Sequence, residues 1–216
     1  MELNRLIDHT LLKPESTKAD ILKVVEEAKQ YHFATVMVNP YWIATVAPLL
    51  EGTDVLPACV IGFPLGANTK AVKVFETKDA IANGAKEIDM VINIGELKGG
   101  NDAYVIDEIK AVKEACGSLC LKVIIETCLL NEEEKIRATK DVVKAGADFV
   151  KTSTGFVKNG VGAKVEDVKL MYETVNPYGL KVKASGGIRD KEAALKMLEA
   201  GAERLGTSSG VKIVEG

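Results

Sequence analysis

The sequence has few cysteines, histidines and aromatic residues, and each shortage excludes a class of protein. The four cysteines form no CxxC pair and no dense spacing, so neither a disulfide scaffold nor a cysteine-based zinc site is expected. Catalytic zinc sites usually need two or three histidines plus a carboxylate. Of the two histidines here, His9 is expected to be a hydrogen-bonded packing residue and His32 a surface residue. Aromatic residues make up 5% of the chain and offer no stacking platform for nucleobases.

Long apolar runs and a strong net charge are missing as well. No segment approaches the roughly 20 apolar residues of a membrane span, and the first residues lack the regions of a signal peptide. A net charge of −3 at pH 7 gives no reason to expect a nucleic acid or an anionic membrane as partner. Nothing marks a domain boundary within residues 1–216. We therefore expect a single-domain cytoplasmic protein with reduced thiols.

A repeated pattern organises the chain. Three times a helical pattern runs through a Gly-Ala pair into an apolar strand, at Gly84-Ala85, Gly146-Ala147 and Gly201-Ala202. Glycine suits the left-handed residue that ends a helix, and a short turn then leads into the strand. Helices alternate with eight predicted strands, which are Ile7–Leu11, Thr35–Asn39, Val55–Gly62, Glu87–Asn93, Leu121–Thr127, Phe149–Thr152, Lys181–Ser185 and Arg204–Gly206. This alternation predicts an α/β fold, the closed (β/α)₈ TIM barrel, with an open doubly wound sheet as the alternative.

Lys151 is the most informative residue, because it ends an apolar stretch in which a charge is costly. The run Ala147–Lys151 is typical of a buried strand, and Thr152–Gly155 is typical of a turn. Burying an ammonium costs several kcal/mol unless it is paired, whereas a neutral amine avoids that cost and is a nucleophile. A second lysine, Lys183, lies in the similar strand Lys181–Ser185. Two neighbouring strand lysines can lower the pKa of one of them, which indicates Schiff-base chemistry on a carbonyl substrate.

Strand alternation places several charged side chains inside the predicted barrel. Successive residues of a strand face opposite sides, so the apolar members of each strand pack outward against the helices. The inward set then includes Glu87, Asp89, Lys122, Lys151 and Lys183, although barrel interiors are usually filled with branched apolar side chains. A structural network of ion pairs is one explanation. The three inward lysines outnumber the few inward acids that could pair with them. A purely structural network would not need this excess of lysines, so the pattern favours a catalytic site.

Two glycine-rich turns indicate a phosphate site. The strand Lys181–Ser185 is followed by Gly186-Gly187 and by a helix that starts near Asp190, and the last strand is followed by Thr207–Gly210 and a terminal helix. Glycines let backbone N–H groups approach an anion closely, and a helix N-terminus adds its dipole. In (β/α)₈ barrels the loops after strands seven and eight are the usual phosphate site. The joint placement of the two turns predicts a phosphorylated substrate.

Five motifs resemble those of the deoxyribose-phosphate aldolase family. They are IDHTLL at 7–12, EIDMVIN at 87–93, LKVIIET at 121–127, FVKTSTG at 149–155 and KASGGIR at 183–189, and they follow the family's order over almost the whole chain. The resemblance implies a class I aldolase on a (β/α)₈ barrel. Such an enzyme reversibly cleaves 2-deoxy-D-ribose 5-phosphate to D-glyceraldehyde 3-phosphate and acetaldehyde, without a metal or organic cofactor. The resemblance does not decide whether the enzyme is a homodimer or a homotetramer.

The resemblance also implies roles for individual residues. By the family's pattern Lys151 forms the Schiff base, Lys183 is the neighbouring cation and Asp89 transfers protons. Phosphate-contacting positions are matched by Gly155, Gly186, Gly187, Ser208 and Ser209, and the further substrate contacts are Thr10, Lys122 and Thr154. Some relatives carry a basic residue directly after the Lys-Thr-Ser-Thr-Gly motif. This chain has Phe156 there, and Lys158 is the candidate to replace the missing charge.

Two other functions stay open at the level of sequence. One is another Schiff-base aldolase, or a transaldolase-like enzyme, that acts on a different phosphorylated sugar with the same lysine. The other is a barrel that binds a phosphorylated sugar without any chemistry, its interior charges being structural. Imine trapping separates the second alternative from an aldolase, because a pure binder forms no imine.

Overall fold

The strands form one closed barrel. The structure, a computed structural model, describes residues 2–216, so Met1 of the predicted domain lies outside the described residues. Each strand pairs in parallel with the next one, and β8 pairs with β1. The strands are β1 Ile7–Leu11, β2 Thr35–Val38, β3 Leu56–Ile61, β4 Glu87–Val91, β5 Cys120–Ile124, β6 Phe149–Lys151, β7 Lys181–Ser185 and β8 Arg204–Thr207. The predicted (β/α)₈ barrel is confirmed, and the alternative prediction of an open doubly wound sheet is wrong.

Helices surround the barrel and connect its strands. They are α1 Lys18–Gln30, α2 Ile43–Leu49, α3 Lys70–Ala82, α4 Ile94–Lys98, α5 Asp102–Cys116, α6 Glu132–Ala145, α7 Val165–Val175, α8 Lys191–Glu199 and α9 Gly210–Glu215. Single 3₁₀ turns cover Leu3–Leu6, Pro40–Trp42, Thr127–Leu129 and Asn176–Tyr178. Within residues 2–216, none of the helices is both long enough and apolar enough to cross a membrane.

Local sequence determines where these helices begin and end. Helix α6 begins with a capping box, in which Asn131 and Glu134 exchange hydrogen bonds with each other's backbone N–H groups. It ends at Gly146, which has a φ of 75° and so adopts the left-handed conformation that glycine tolerates. Gly201 has a φ of 107°, and a Cβ there would lie 2.3 Å from the Tyr172 ring. The Gly-Ala pairs of the repeat therefore end helices as predicted.

Strands β2, β3 and β6 end one residue earlier than the sequence pattern predicts, and two strands end earlier by two or three residues. Strand β4 ends at Val91 rather than Asn93, because the Asn93 side chain turns to accept a hydrogen bond from Glu96 N at 3.2 Å and caps α4. Strand β5 ends at Ile124 rather than Thr127, because Glu126 adopts a left-handed φ of 56° that no strand ladder can continue. Both departures occur where the chain leaves the barrel edge that carries the functional loops.

Burial follows the predicted alternation. The outward-facing residues of β4 and β5, among them Ile88, Met90 and Val123, join one large apolar cluster with the inner faces of the helices. Inside the barrel, a separate small apolar cluster holds Met37 of β2 with its buried neighbours Leu12, Ala58 and Val60. The other interior side chains include a group of charged residues that are almost fully buried, together with uncharged ones such as Thr35, Val91 and Ile124. The barrel interior is therefore partly apolar and partly charged.

Candidate active site

Lys151 lies at the base of a cavity on the carboxyl edge of the barrel. It is the last residue of β6, where Val150 faces the helices and Lys151 faces inward, and it is 4% exposed. The cavity has a volume of about 460 Å³ and is bounded by the ends of β1, β6, β7 and β8 and the loops that follow them. Its wall consists of Thr10, Leu11, Leu12, Lys13, Lys151, Ser153, Thr154, Gly155, Phe156, Ser185, Gly186, Gly187, Ile188, Arg189, Gly206, Thr207 and Ser208. A small substrate in this space would reach the Lys151 amine.

The environment of Lys151 favours its neutral form. Burial lowers the pKa of the amine, and the cations Lys183 and Lys122 lower it further. The Asp89 carboxylate, whose Oδ2 accepts a hydrogen bond from Lys151 Nζ at 2.7 Å, opposes the shift but does not cancel it. The resulting pKa of about 8, against an ordinary 10.5, leaves about a tenth of the amine neutral at pH 7. Lys151 is therefore able to act as a nucleophile near neutral pH.

Asp89 lies directly beneath Lys151 and is bound by three lysines. Its Oδ2 accepts hydrogen bonds from Lys151 and Lys183, each at 2.7 Å, and its Oδ1 accepts one from Lys122 at 3.0 Å. Burial alone would raise the pKa of this carboxyl, but the three lysines hold it well below its usual value. Asp89 is thus a carboxylate in the resting protein, and it is able to accept a proton beside the reactive amine.

Three further charged residues complete the interior: Glu87, which the alternation of β4 places inward as predicted, and Asp8 and Arg204, which sequence reasoning missed. Lys183 also donates to Asp8, whose other oxygen accepts from Arg204 Nη1 at 2.7 Å. Glu87 Oε2 accepts from Lys122 at 2.5 Å and from Arg204 at 3.2 Å. The expectation of few inward acids is therefore wrong. Strand alternation could have identified the other two, since Asp8 shares the inward face of β1 with Thr10, and Arg204 is in register with the inward Lys183 of β7.

The predicted phosphate residues lie on two sides of the cavity. Gly155, Gly186 and Gly187 have φ values of 81°, 85° and 79°, and all three line its wall. Ser208 lines it as well. Ser209 lies outside the wall, on a neighbouring surface groove, and its N–H donates to Thr207 Oγ1 at 2.9 Å. The structure thus gathers four of the five predicted phosphate positions around one space, and the contact of Ser209 stays a prediction.

The three remaining predicted substrate contacts lie at different depths. Thr10 and Thr154 line the cavity wall, and Thr154 donates its hydroxyl and its N–H to Glu126. Lys122 is fully buried below Asp89 and does not reach the wall, because its amine is taken up by the carboxylates of β4. A direct contact between Lys122 and the substrate therefore stays a prediction.

Basic groups that sequence reasoning did not select lie at the rim. Lys13 and Arg189 are exposed and line the cavity, whereas Lys158 is exposed but does not. Phe156 lines the wall and packs edge-to-face on Phe63, with ring centroids 5.1 Å apart. The position of Arg189, two residues after Gly187 of the diglycine turn, was the available signal, because an arginine near clustered backbone N–H groups suits a phosphate.

Both histidines are engaged outside the barrel interior. His9 Nε2 is 2.7 Å from Glu27 Oε2 of α1, and His9 is 2% exposed, which agrees with its predicted packing role. His32 lies at the surface, 3.1 Å from Asp54, as predicted. Among residues 2–216, no group of three or more His, Cys, Asp or Glu side chains is arranged to hold a metal ion.

The fold and the site together define a class of protein. A buried lysine of lowered pKa, set beside a carboxylate at the carboxyl edge of a (β/α)₈ barrel, characterises barrel enzymes that react with carbonyl substrates through a lysine imine. The chain belongs to the family described as DeoC/LacD family aldolase, whose model matches residues 4–215.

Similar proteins cover the chain almost completely. It is 62% identical over 213 residues to the deoxyribose-phosphate aldolase of a Geobacillus species, covering 98% of this chain and 94% of that protein. It is 58% identical over 216 residues to the deoxyribose-phosphate aldolase of Streptococcus mutans, covering 100% and 97%. Among solved structures, the tetrameric deoxyribose phosphate aldolase from Aeropyrum pernix superposes with a TM-score of 0.89 at 34% identity, covering 99% of this chain and 89% of that one.

Proposed function

We propose that this protein reversibly cleaves 2-deoxy-D-ribose 5-phosphate to D-glyceraldehyde 3-phosphate and acetaldehyde through a Schiff base on Lys151. The observation that carries the proposal is the Lys151 amine at the base of the cavity, with a pKa of about 8 and with Asp89 at 2.7 Å. Membership of the aldolase family and relatives of 62% and 58% identity support the same substrate. Lys183 acts as the neighbouring cation that helps to keep Lys151 neutral.

The reaction begins when neutral Lys151 adds to the C1 aldehyde of the open-chain sugar. Loss of water from the adduct gives a protonated imine, which withdraws electrons from C2. The C2–C3 bond then breaks: its electron pair moves toward the imine nitrogen to form an enamine, and the C3 hydroxyl loses its proton as C3 becomes the new aldehyde. Protonation of the enamine at C2 and hydrolysis release acetaldehyde and restore Lys151.

Asp89 is proposed as the group that accepts the C3 hydroxyl proton, directly or through a water molecule. It starts the cycle as a carboxylate, because three lysines hold its pKa well below the usual value despite burial. After accepting the proton it lies next to the imine nitrogen and can return the proton to the enamine. General acid–base help of this kind contributes roughly 10²-fold to 10⁴-fold to a rate.

Binding of the phosphate group orients the substrate. We assign phosphate binding to the backbone N–H groups of Gly155, Gly186, Gly187 and Ser208, with Arg189 at the rim providing positive charge. Thr10 and Thr154 are proposed to contact the sugar between the phosphate and Lys151. Because the phosphate is remote from the reacting carbon, its binding energy can hold C1 in reach of the amine.

We also propose a cellular location and an oligomeric state for the enzyme. The four cysteines are unpaired thiols, which supports action in the reducing cytoplasm. The tetramer of the Aeropyrum pernix relative supports an oligomeric enzyme.

Borohydride trapping tests the proposal directly. Incubation with acetaldehyde followed by reduction should leave an ethyl group on Lys151, located by peptide mass spectrometry, and Lys151→Met should abolish both the adduct and the cleavage. Lys140→Met removes an exposed lysine of α6 outside the cavity and serves as the matched control. An adduct on Lys122 or Lys183 would contradict the assignment. A panel of phosphorylated sugars checks the substrate, since an aldolase for another sugar would form the adduct but cleave a different member.

A further inference from the structure

The charged side chains inside the barrel form one continuous network. Each of them contacts at least one other through an ion pair, and none of their side chains is more than 16% exposed. The network reaches from the amino edge of the barrel, where β8 begins, to Lys151 below the cavity. Its members are Asp8, Glu87, Asp89, Lys122, Lys151, Lys183 and Arg204.

Counting its charges shows an imbalance. Four members are basic and three are carboxylates, so the network carries one excess positive charge when Lys151 is protonated. It becomes neutral when Lys151 loses its proton. An uncompensated charge in a buried region is costly, because the surroundings solvate it poorly. The composition of the network therefore favours the form of Lys151 that attacks a carbonyl.

Arg204 is the member of this network farthest from the chemistry. It begins β8 at the amino edge, and one guanidinium nitrogen binds Asp8 Oδ1 at 2.7 Å and Glu87 Oε2 at 3.2 Å. Its guanidinium carbon lies 5.7 Å from the centre of the Phe149 ring, which holds it in place. Arginine stays charged in proteins, so Arg204 supplies a constant positive charge to carboxylates that also bind Lys183 and Lys122.

We propose that Arg204 and Glu87 are positioning residues that set, through the charge balance of this network, the pH at which Lys151 becomes the nucleophile. The inference rests on the proposed function, since it takes Lys151 to be the imine-forming amine. Neither residue lines the cavity, so both act through their neighbours. Arg204 acts through Asp8 and Lys183, and Glu87 acts through Lys122 and Asp89.

The two residues should act in opposite directions. Without Arg204, a neutral Lys151 would leave the network with one excess negative charge, so Lys151 would hold its proton to a higher pH. Without the charge of Glu87, the network would have two excess positive charges when Lys151 is protonated, so Lys151 would lose its proton at a lower pH. A unit charge acting across several ångströms of protein interior changes a neighbouring pKa by about one unit.

Other charged groups also face Lys151, and the substitutions that test the proposal must leave these groups unchanged. Asp89 of β4, Lys122 of β5 and Lys183 of β7 approach it from below and from the side, and Asp8 of β1 lies behind Lys183. Above it, Lys13 and Arg189 lie on the cavity wall. The β2 and β3 sector contributes the apolar side chains Met37, Ala58 and Val60. Substitutions at Arg204 and Glu87 leave all of these side chains in place.

Competitive labelling measures the protonation of Lys151 without the aldolase reaction. A small amine-reactive acylating reagent is applied between pH 6 and pH 10, and mass spectrometry compares labelling of Lys151 with that of the exposed Lys18. Arg204→Met should move the midpoint of Lys151 labelling toward alkaline pH by about one unit. Glu87→Gln should move it toward acid pH by a similar amount. The double variant should return it close to the original midpoint, and Arg204→Lys, which keeps the charge, should leave it nearly unchanged.

The outcomes separate this inference from the proposed function. Single variants that shift the midpoint in the same direction, or not at all, would overturn the inference, because a merely structural role moves stability without opposite pH shifts. If Arg204→Met fails to fold, Glu87→Gln decides alone, and an unchanged midpoint there is contrary to the inference. Absence of the acetaldehyde adduct from Lys151 in the unmodified protein would instead overturn the proposed function. The same opposite shifts should appear in the pH dependence of the cleavage rate.

Discussion

The interior of the barrel has two sectors that are filled in opposite ways. In the apolar sector, β2 and β3 contribute Met37, Ala58 and Val60, with Phe63 packed against them. In the charged sector, β1 and β4 to β8 contribute carboxylates, lysines and Arg204, linked by ion pairs. The strands of both sectors belong to the same closed sheet and have the same alternation, so the backbone does not require this difference.

The difference indicates what each sector contributes. Burying an apolar side chain stabilises a fold by about 1.5–3 kcal/mol. A buried ion pair gains little over well-packed apolar residues, because desolvation offsets its attraction. The charged sector is therefore hard to explain by stability, whereas its lysines add to the effect of burial, the largest cause of the lowered pKa of Lys151. Substitutions in the charged sector should change the chemistry and its pH dependence, and substitutions in the apolar sector should change stability.

The largest effect on turnover among variants that keep Lys151 is expected from Lys183→Leu. Removing this cation takes away a group that lowers the pKa of Lys151, so that pKa should rise toward 10.5. Because burial remains and is the largest cause, a full return from about 8 is the upper limit; it would reduce the neutral fraction at pH 7 roughly 300-fold, and the rate should recover as the pH is raised. The measurement is the pH dependence of kcat/KM.

A matched control lies on the same strand. Lys181→Leu makes the same change at the exposed start of β7 and should leave the profile unchanged. An unchanged rate and pH profile in Lys183→Leu would show that Lys183 is only structural. Since this variant also leaves Asp8 and Asp89 without one partner, its unfolding should be measured alongside.

The second largest effect is expected from Asp89→Asn, which keeps size and hydrogen bonding but removes basicity. If Asp89 transfers protons, the imine on Lys151 should still form while turnover falls by about 10²-fold or more. If Asp89 is only a counter-ion, melting temperature should fall while turnover per folded molecule is largely kept. Adduct formation, turnover and melting on one preparation decide between these roles, and Asp79→Asn on the exposed face of α3 is the control.

The alternation of strand residues was sufficient to predict most of this site. It correctly placed Asp89, Lys122, Lys151 and Lys183 inside the barrel, because side-chain direction in a strand depends only on parity. It could not predict that Arg204 binds Glu87, since that contact crosses the barrel between β8 and β4 and depends on how the closed sheet is staggered.

Loop geometry was the other part that the sequence left open. The left-handed conformation of Glu126 has no local signal, because a glutamate rarely adopts it. Tertiary contacts support it: the Glu126 carboxylate accepts the Thr154 N–H at 3.1 Å, which ties the β5 loop to the loop after Lys151. Such a contact between loops distant in sequence is decided by packing rather than by propensity.

A smaller effect on turnover, with a clear effect on stability, is expected from Met37→Ala in the apolar sector. Met37 is fully buried, so truncation should lower the free energy of unfolding by about 2–5 kcal/mol. The midpoint of the pH–rate profile should stay where it is, because no charge changes. Met37→Leu conserves volume and should cost less than about 1.5 kcal/mol. A shift of the pH profile in Met37→Ala would mean that the two sectors are coupled through packing.

Removal of metal ions is expected to leave the cleavage rate unchanged, which is the smallest effect among these predictions. Three buried carboxylates could in principle gather a divalent cation, and the charged sector would then owe its chemistry to a metal. In the structure the oxygens of Asp8 and Asp89 instead accept hydrogen bonds from Lys183, Lys122 and Arg204, so the protein's own cations supply the positive charge. Dialysis against EDTA should leave the cleavage rate and the trapping of acetaldehyde equal to those of a sample dialysed without chelator. A loss of activity that zinc restores would contradict the lysine mechanism and would require carboxylates and lysines to exchange partners around an ion.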